Sequence, residues 1–337
     1  MTASQLAAVT TPSLAVCVLA AAGAGKTRVL TLRAWYRVAS GTAKADHVLA
    51  ITFTRKAAGE LKERLARLGL GAGSLRSDST RPAGPGVTAG TFHAVAASQL
   101  RRWWADRRAP QPALLERKSR LLGELLPGRP GLGGVCVADL ASLIEWAKAR
   151  GVSPARFAEA ATTGWTLPAS VEAVAALYSR YEDEKRRRRV LDFDDLLGRY
   201  AEALETDSRF AAAQRWRWQH VLVDELQDIN PLQYRMLVGL LGPNRDLFVV
   251  GDPDQAIYGW NGADPAFLEH FPQQWPEAEV VRLDDNHRSS PQVVAAAASV
   301  LPAREAQLRS SQADGPLPAV LRYFSEEAEA AGVARLM

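Results

Sequence analysis

Short apolar runs recur along the chain, and each gives way to small, polar or charged residues and then to a helical pattern. Residues 14–19 flow into the small-residue stretch 20–27, and a helical period begins there. Residues 47–51 run into Thr52-Phe53-Thr54-Arg55-Lys56 and an amphipathic helix through Leu61 and Leu65. A further strand end lies at 87–93. Residues 220–223 lead into Asp224-Glu225-Leu226-Gln227-Asp228, residues 247–250 into a Gly-rich loop at 251–262, and residues 280–283 precede a helix opened by 285–291. Runs this short and apolar, alternating with helices, predict buried strands of a parallel sheet, an α/β fold. A short helix with a Ser or Thr cap is expected over 2–9, a Gly-, Ser- and Pro-rich loop over 69–86, and a helix starting at 192–197. From about 94 to 189 the period is helical, with Arg and Trp interleaved, which predicts an all-helical insertion.

The strand ends carry the chemistry. Small residues at 20–25 let successive backbone N–H groups point inward, and the helix that follows adds its positive dipole end, a setting suited to phosphate. There Lys26 would reach the β/γ-phosphates and Thr27 would hold Mg²⁺, in the pattern of a P-loop with Ala20 where the first Gly usually stands. A purely structural strand-to-helix turn is the alternative. An apolar strand ending in adjacent carboxylates supplies what such a loop needs opposite it: Asp224 for Mg²⁺, and Glu225 to orient and deprotonate the attacking water. Gln255 can sense a γ-phosphate, Arg288 can neutralise its charge, and the amide of Gln5 matches the edge of adenine. Phe53, Tyr258 and Trp260 offer stacking surfaces for the bases of a single strand, or else serve as core and turn aromatics. His93 fits a phosphate contact or a satisfied buried imidazole. The run 185–189 fits phosphates or a solvated helix face.

Composition narrows the class. At 337 residues the chain is comfortable for two domains, and 47% apolar with 23% charged residues is ordinary for a soluble globular protein. A net charge of +4, a pI near 9.2 and heavy use of Arg admit nucleic acid as a partner. Cys17 and Cys136 are isolated and lack metal-ligand spacing, so reduced thiols in a cytoplasmic protein are expected. No apolar run reaches the length of a bilayer span and no secretory pattern opens the chain, so no membrane partner is expected.

In order and spacing, the Gln5 segment, 20–27, 52–58, Thr91-Phe92-His93, 223–228, 251–262 and 286–289 together resemble the UvrD/Rep-type superfamily 1 DNA helicases. The resemblance covers nearly the whole chain. It implies ATP-driven 3′→5′ unwinding of DNA by a RecA-like P-loop NTPase domain carrying an inserted all-helical subdomain. The first motor domain would take 1–93 and 190–290, the insertion 94–189, and the start of a second motor domain 291–337. ATP contacts are implied for Gln5, Ala22, Gly23, Ala24, Gly25, Lys26, Thr27, Arg28 and His287, catalytic roles for Lys26, Glu225, Gln255 and Arg288, and Mg²⁺ contacts for Thr27 and Asp224. DNA contacts fall on Phe53, Thr91, His93, Tyr258 and Trp260, with single-stranded and tailed duplex DNA as implied partners. The chain departs from the family pattern at Ala21 and Ala24, where Gly and Ser are usual, at His287 in place of a Tyr that stacks on adenine, and at Asn261 in place of an Arg. Residues 317–324 resemble the second domain's first strand and 325–337 its first helix, so a C-terminal motor half or a protein partner is expected to complete the cleft. Two alternatives stay open: a P-loop ATPase acting on protein, and a non-unwinding ATP- and DNA-binding module or gene fragment that needs a partner.

Overall fold

The computed structural model describes residues 1–71, 86–128, 131–161, 169–300 and 308–336, so most of the expected 69–86 loop lies outside the described residues. The chain divides into two compact units, Met1–Ala20 with Lys26–Leu283 and Ala21–Gly25 with Asp284–Met337.

The first unit is built on strands β1 (Ala15–Ala20), β2 (Val48–Thr52), β3 (Thr88–Thr91), β6 (His220–Val223), β7 (Leu247–Gly251) and β8 (Glu279–Leu283), with a small pair, β4 (Ala113–Leu114) and β5 (Val190–Leu191), apart from them. The six-stranded sheet has the order β3-β2-β6-β7-β1-β8, and every pairing in it is parallel. In register, Val18 of β1 faces Val250 on one side and Val281 on the other. Strands β2 and β7 are buried at every position, because helices cover both faces and leave no polar side to the sheet.

Helix α2 (Lys26–Ala39) follows the loop after β1, and α1 (Ala3–Thr10), α3 (Arg55–Arg67) and α4 (Phe92–Asp106) start where their sequences carry caps. Thr2 caps α1 in a reciprocal box with Gln5, whose Oε1 accepts from the Thr2 N–H at 3.1 Å. Thr54 and Thr91 cap α3 and α4. The expected helical insertion contains α5 (Lys118–Leu125), α6 (Val137–Ala149), α7 (Phe157–Ala160) and α8 (Val171–Arg188), which share a core around Leu122, Ile144, Phe157 and Tyr181. Phe92, Val95 and Leu100 place α4 instead in the core of the sheet, with α9 (Phe193–Thr206), α10 (Ser208–Arg217) and α11 (Pro231–Leu241). Trp218, Tyr200 and Phe271 fill that core, each burial of such a side chain contributing about 1.5–3 kcal/mol. Two short helices, α12 (Ala266–Glu269) and α13 (Phe271–Gln274), lead into β8.

A buried ion cluster ties α6 and α8 to the start of α9. Lys148 Nζ lies 2.7 Å from Asp192 and 2.5 Å from Asp195, and Lys185 Nζ lies 3.0 Å and 2.6 Å from the same two carboxylates. Glu182 joins both ammoniums and the Tyr181 hydroxyl donates to Asp192. Burial alone would raise the Asp192 carboxyl, but Lys148, Lys185 and Lys118 hold it well below the usual carboxylate range. The basic run 185–189 is therefore not a uniform face. Lys185 is buried, while Arg186, Arg187 and Arg188 pair with Asp183, Glu184 and Glu124.

In the second unit, β9 (Asp285–Asn286) pairs in parallel with β10 (Arg309–Ser310), and α14 (Pro291–Ala298) and α15 (Glu326–Leu336) follow the expected helical stretches. The strand expected over 317–324 does not form. A strand needs a ladder partner and a face to bury, and Val320 and Phe324 lie fully in solvent.

Candidate functional site

The chain runs outward from β1 to β3 and then returns, so the neighbours β6, β7 and β1 bring their carboxyl ends together at a topological switch point, where open α/β sheets bind ligands. Lys26 and Thr27 open α2 beyond β1, Asp224 and Glu225 follow β6, and Asp252 to Gln255 follow β7. Thr27 Oγ1 donates to Asp224 Oδ2 at 3.0 Å, and Lys26 Nζ lies 3.6 Å from Glu225 Oε2. Lys26 Nζ and Asp224 Oδ1 are both buried without a hydrogen-bond partner among the described residues. Burying an ammonium and a carboxylate oxygen without hydrogen bonds, with only the 3.6 Å ion pair to Glu225 beside them, is costly, so this set suits an anionic ligand held with a divalent cation. Burial, with Glu225 adding to it, pushes the Asp224 carboxyl up to about 6, against the pull of Thr27 and Lys26. Asp228, also buried and near Glu225, is pushed up to about 7.

Glu225 sits at φ 55°, a left-handed conformation that a non-glycine residue holds only when its surroundings fix it. A hydrogen-bond chain fixes it. Gln227 Nε2 donates to Glu225 Oε2 at 2.8 Å, Gln227 Oε1 accepts from the Asp252 N–H at 3.0 Å, and Asp252 Oδ2 accepts from Gln255 Nε2. Acid and glutamine, predicted separately at two strand ends, are thus linked through Gln227, which the sequence reading passed over. Only its position between Glu225 and Asp228 hinted at a role.

The loop Ala21–Gly25 is held in the second unit. Gly23 and Gly25 adopt φ of 74° and 85°, and a Cβ on Gly23 would meet Arg288 Cβ at 2.8 Å. Asn286 staples this loop: its Nδ2 donates to the Ala22 carbonyl at 2.8 Å, while its Oδ1 accepts from the N–H groups of Arg288 and Ser289. The His287 N–H donates to the Gly23 carbonyl at 3.0 Å. Asn286 lay in a recognised stretch but carried no assigned role in the sequence reading. Gln5 is buried in its capping box, and Arg28 is exposed on the first turn of α2.

Around the ends of β2 and β3, Phe53, Thr91 and His93 line an open cavity of about 650 Å³ together with Arg55, Lys62, Arg101 and Phe193. Arg55 and Lys62 stand two helical turns apart on α3, a spacing visible in the sequence; nothing local marks Arg101 or Phe193. Phe53 is half-buried, with its ring 4.9 Å from that of Tyr258, and Tyr258 in turn lies 6.2 Å from Trp260, which is 68% exposed. The Thr91 hydroxyl is engaged as the α4 cap, and burial lowers the His93 pKa, so the ring is neutral at pH 7.

A parallel doubly wound sheet with a strand–loop–helix ending in Gly-Lys-Thr and an acidic neighbouring strand end defines a RecA-like P-loop domain, here with further helices between β3 and β6. The chain belongs to the UvrD/REP helicase family, whose N-terminal domain matches residues 1–276. It is 41% identical over 350 residues to the ATP-dependent DNA helicase UvrD2 of Mycobacterium tuberculosis, an alignment covering 98% of this chain and 48% of that protein. Identity is 32% to the ATP-dependent DNA helicase PcrA of Leuconostoc citreum, over 89% of this chain and 39% of the relative. It is also 32% to UvrD1 of Mycobacterium leprae, over 84% and 37%. The chain spans about half the length, or less, of the curated relatives it matches. No helix among the described residues is long and apolar enough to cross a membrane.

Proposed function

We propose that the chain binds Mg·ATP and single-stranded DNA, hydrolyses the ATP, and provides the first motor half of a 3′→5′ DNA helicase. The observation that carries the reading is the unmatched buried pair, Lys26 Nζ and Asp224 Oδ1, beside Glu225.

Lys26 takes the β/γ-phosphates, cradled by the N–H groups of Ala22, Gly23, Ala24 and Gly25. Thr27 and Asp224 would hold Mg²⁺, which would supply positive charge to offset that of the phosphates. Glu225, oriented by Gln227, accepts a proton from the attacking water. Gln255, tethered to Asp252, senses the γ-phosphate. Arg288 neutralises charge there, and Gln5, Arg28 and His287 serve the adenine end; these assignments rest on the family resemblance. Phe53, Tyr258 and Trp260 stack bases, while Thr91 and neutral His93 contact the strand by hydrogen bonds rather than by charge.

In this reading the motor parts are 1–93 and 190–290, the insertion is 94–189, and a second motor domain opens at 291. Tailed duplex DNA is the substrate, a C-terminal motor half or protein partner completes the machine, and the location is cytoplasmic. Equilibrium titration with a fluorescent ATP analogue tests the core of it. Mg²⁺-dependent binding that disappears in Lys26→Ala is expected, and analogue bound equally by that variant would overturn the assignment.

A further inference from the structure

The amino ends of the strands, opposite the proposed ATP site, carry a second concave surface. It is an open cleft of about 910 Å³ between α4 and α10, lined by Arg102, Arg107, Arg209, Phe210, Trp216 and Arg217, with Asp106 as its one acid. The size lies within the ~300–1,000 Å³ range of ligand-holding pockets. Arg102 lies eleven positions after Thr91, about 16 Å along the helix axis, and Arg217 lies three positions before β6 starts, the strand whose far end leads to Asp224. The cleft is thus distinct from the cavity around Phe53.

Four arginines meet one aspartate here, and only Arg107 is paired, with Asp207. Arg102, Arg209 and Arg217 make no ion pair with any described residue, and Arg217 Nε is buried without a hydrogen-bond partner. Burial and the neighbouring Arg102 lower the Arg217 pKa, while Tyr200 and Asp46 act the other way. Trp216 is 70% exposed, propped edge-on against His47 at 5.0 Å and 88°, and His47 Nδ1 lies 2.9 Å from the carbonyls of Trp216 and Arg217. An exposed indole held against His47 beside the guanidinium groups of Arg102 and Arg209 combines a stacking platform with phosphate forks, while Arg217 also lies over the Trp218 ring at 5.4 Å.

We propose that this cleft is a second binding patch for single-stranded nucleic acid, with Arg102, Arg209 and Arg217 on backbone phosphates and Trp216 stacked on a base. Arginine in place of lysine and the large free aromatic surface favour a nucleic acid over an acidic peptide, which needs charge but no stacking platform. The patch stands apart from the proposed motor site, and its test separates the two.

The full chain carrying Phe53→Ala and Trp260→Ala provides the background, and binding of a fluorescent oligo(dT) is followed across a salt titration. Adding Arg102→Ala, Arg209→Ala and Arg217→Ala should weaken the remaining binding and flatten the slope of log K against log salt by about 2, at ~0.7 per phosphate on a single strand. The exposed pair Arg102→Ala and Arg209→Ala alone should flatten it by about 1.4, which guards against a folding defect from half-buried Arg217. Trp216→Ala should weaken binding about 5-fold or more with little change of slope. Unchanged affinity and slope in these variants would overturn the proposal. So would a cleft that ignores oligo(dT) but binds a poly-glutamate peptide in an arginine-dependent way. Loss of all oligo(dT) binding from the background alone would also overturn it, whereas a background that binds as tightly as the parent would sink the Phe53 and Trp260 assignment instead.

Discussion

Replacing Lys185 by Met strips one ammonium from a cluster that holds two ammoniums against three carboxylates. Lys185 Nζ lies 2.6 Å from Asp195, 2.9 Å from Glu182 and 3.0 Å from Asp192, with its side chain 3% exposed. In the variant Lys148 alone faces all three acids, and removing one partner of a buried pair costs about 3–5 kcal/mol. Asp192→Asn leaves two carboxylates for two ammoniums, so its cost is smaller, about 1.5–3 kcal/mol for the charged hydrogen bonds it gives up. The double variant removes a matched pair and should cost at least ~1 kcal/mol less than the sum. The sign with pH follows from the depressed Asp192 carboxyl: its stabilisation is present above its unfolded value near 4 and is lost as pH falls through the lower folded value. Without Lys185 the Asp192 carboxyl is less depressed, so the deficit is present at pH 7.5 and shrinks only as pH falls below about 4, toward pH 3. Urea unfolding followed by circular dichroism, run on the four chains of the cycle at pH 7.5 and pH 3, measures this. Strict additivity, or a deficit that does not change with pH, would refute the view that Lys185 is held by these acids rather than by packing of its stem.

Glu225→Gln should keep Mg·ATP affinity while turnover falls at least ~100-fold, since a positioned general base contributes about 10²–10⁴; turnover near the parent rate would remove Glu225 from that role. Because the Asp224 carboxyl is pushed up to about 6 and must lose its proton to meet a cation, Mg²⁺-dependent nucleotide affinity should fall about tenfold between pH 7 and pH 5. A flat profile by calorimetry would contradict the assignment. Trp260→Ala should weaken oligo(dT) binding by about 1–3 kcal/mol in an anisotropy titration, and an unaffected affinity would mean that its ring stacks on no base.

The sheet was legible because its strands are continuous apolar runs that end in chemically distinctive residues. Residues 14–19, 220–223 and 247–250 match β1, β6 and β7 to within a residue or so, and Thr2 and Asp192 cap the helices that their surroundings announced. What escaped the reading depends on contacts between segments distant in sequence. Whether Lys185 is solvated or buried is decided by Asp192 and Asp195, which reach it only once the start of α9 packs against α8, and the Gln227 link needs β6 and β7 side by side. Arg101 and Phe193 reach one cavity with Phe53 only after α4, α9 and β2 have assembled. Residues 317–324 misled for the converse reason: the strand pattern was present, but no strand among the described residues pairs with it.

Steady-state ATP hydrolysis by the purified chain, with and without single-stranded DNA and beside a Lys26→Ala control, tests the central claim most directly. The account predicts Mg²⁺-dependent turnover that DNA stimulates and the control abolishes. Turnover that survives in Lys26→Ala, or Mg·ATP that fails to bind the parent chain at all, would contradict it.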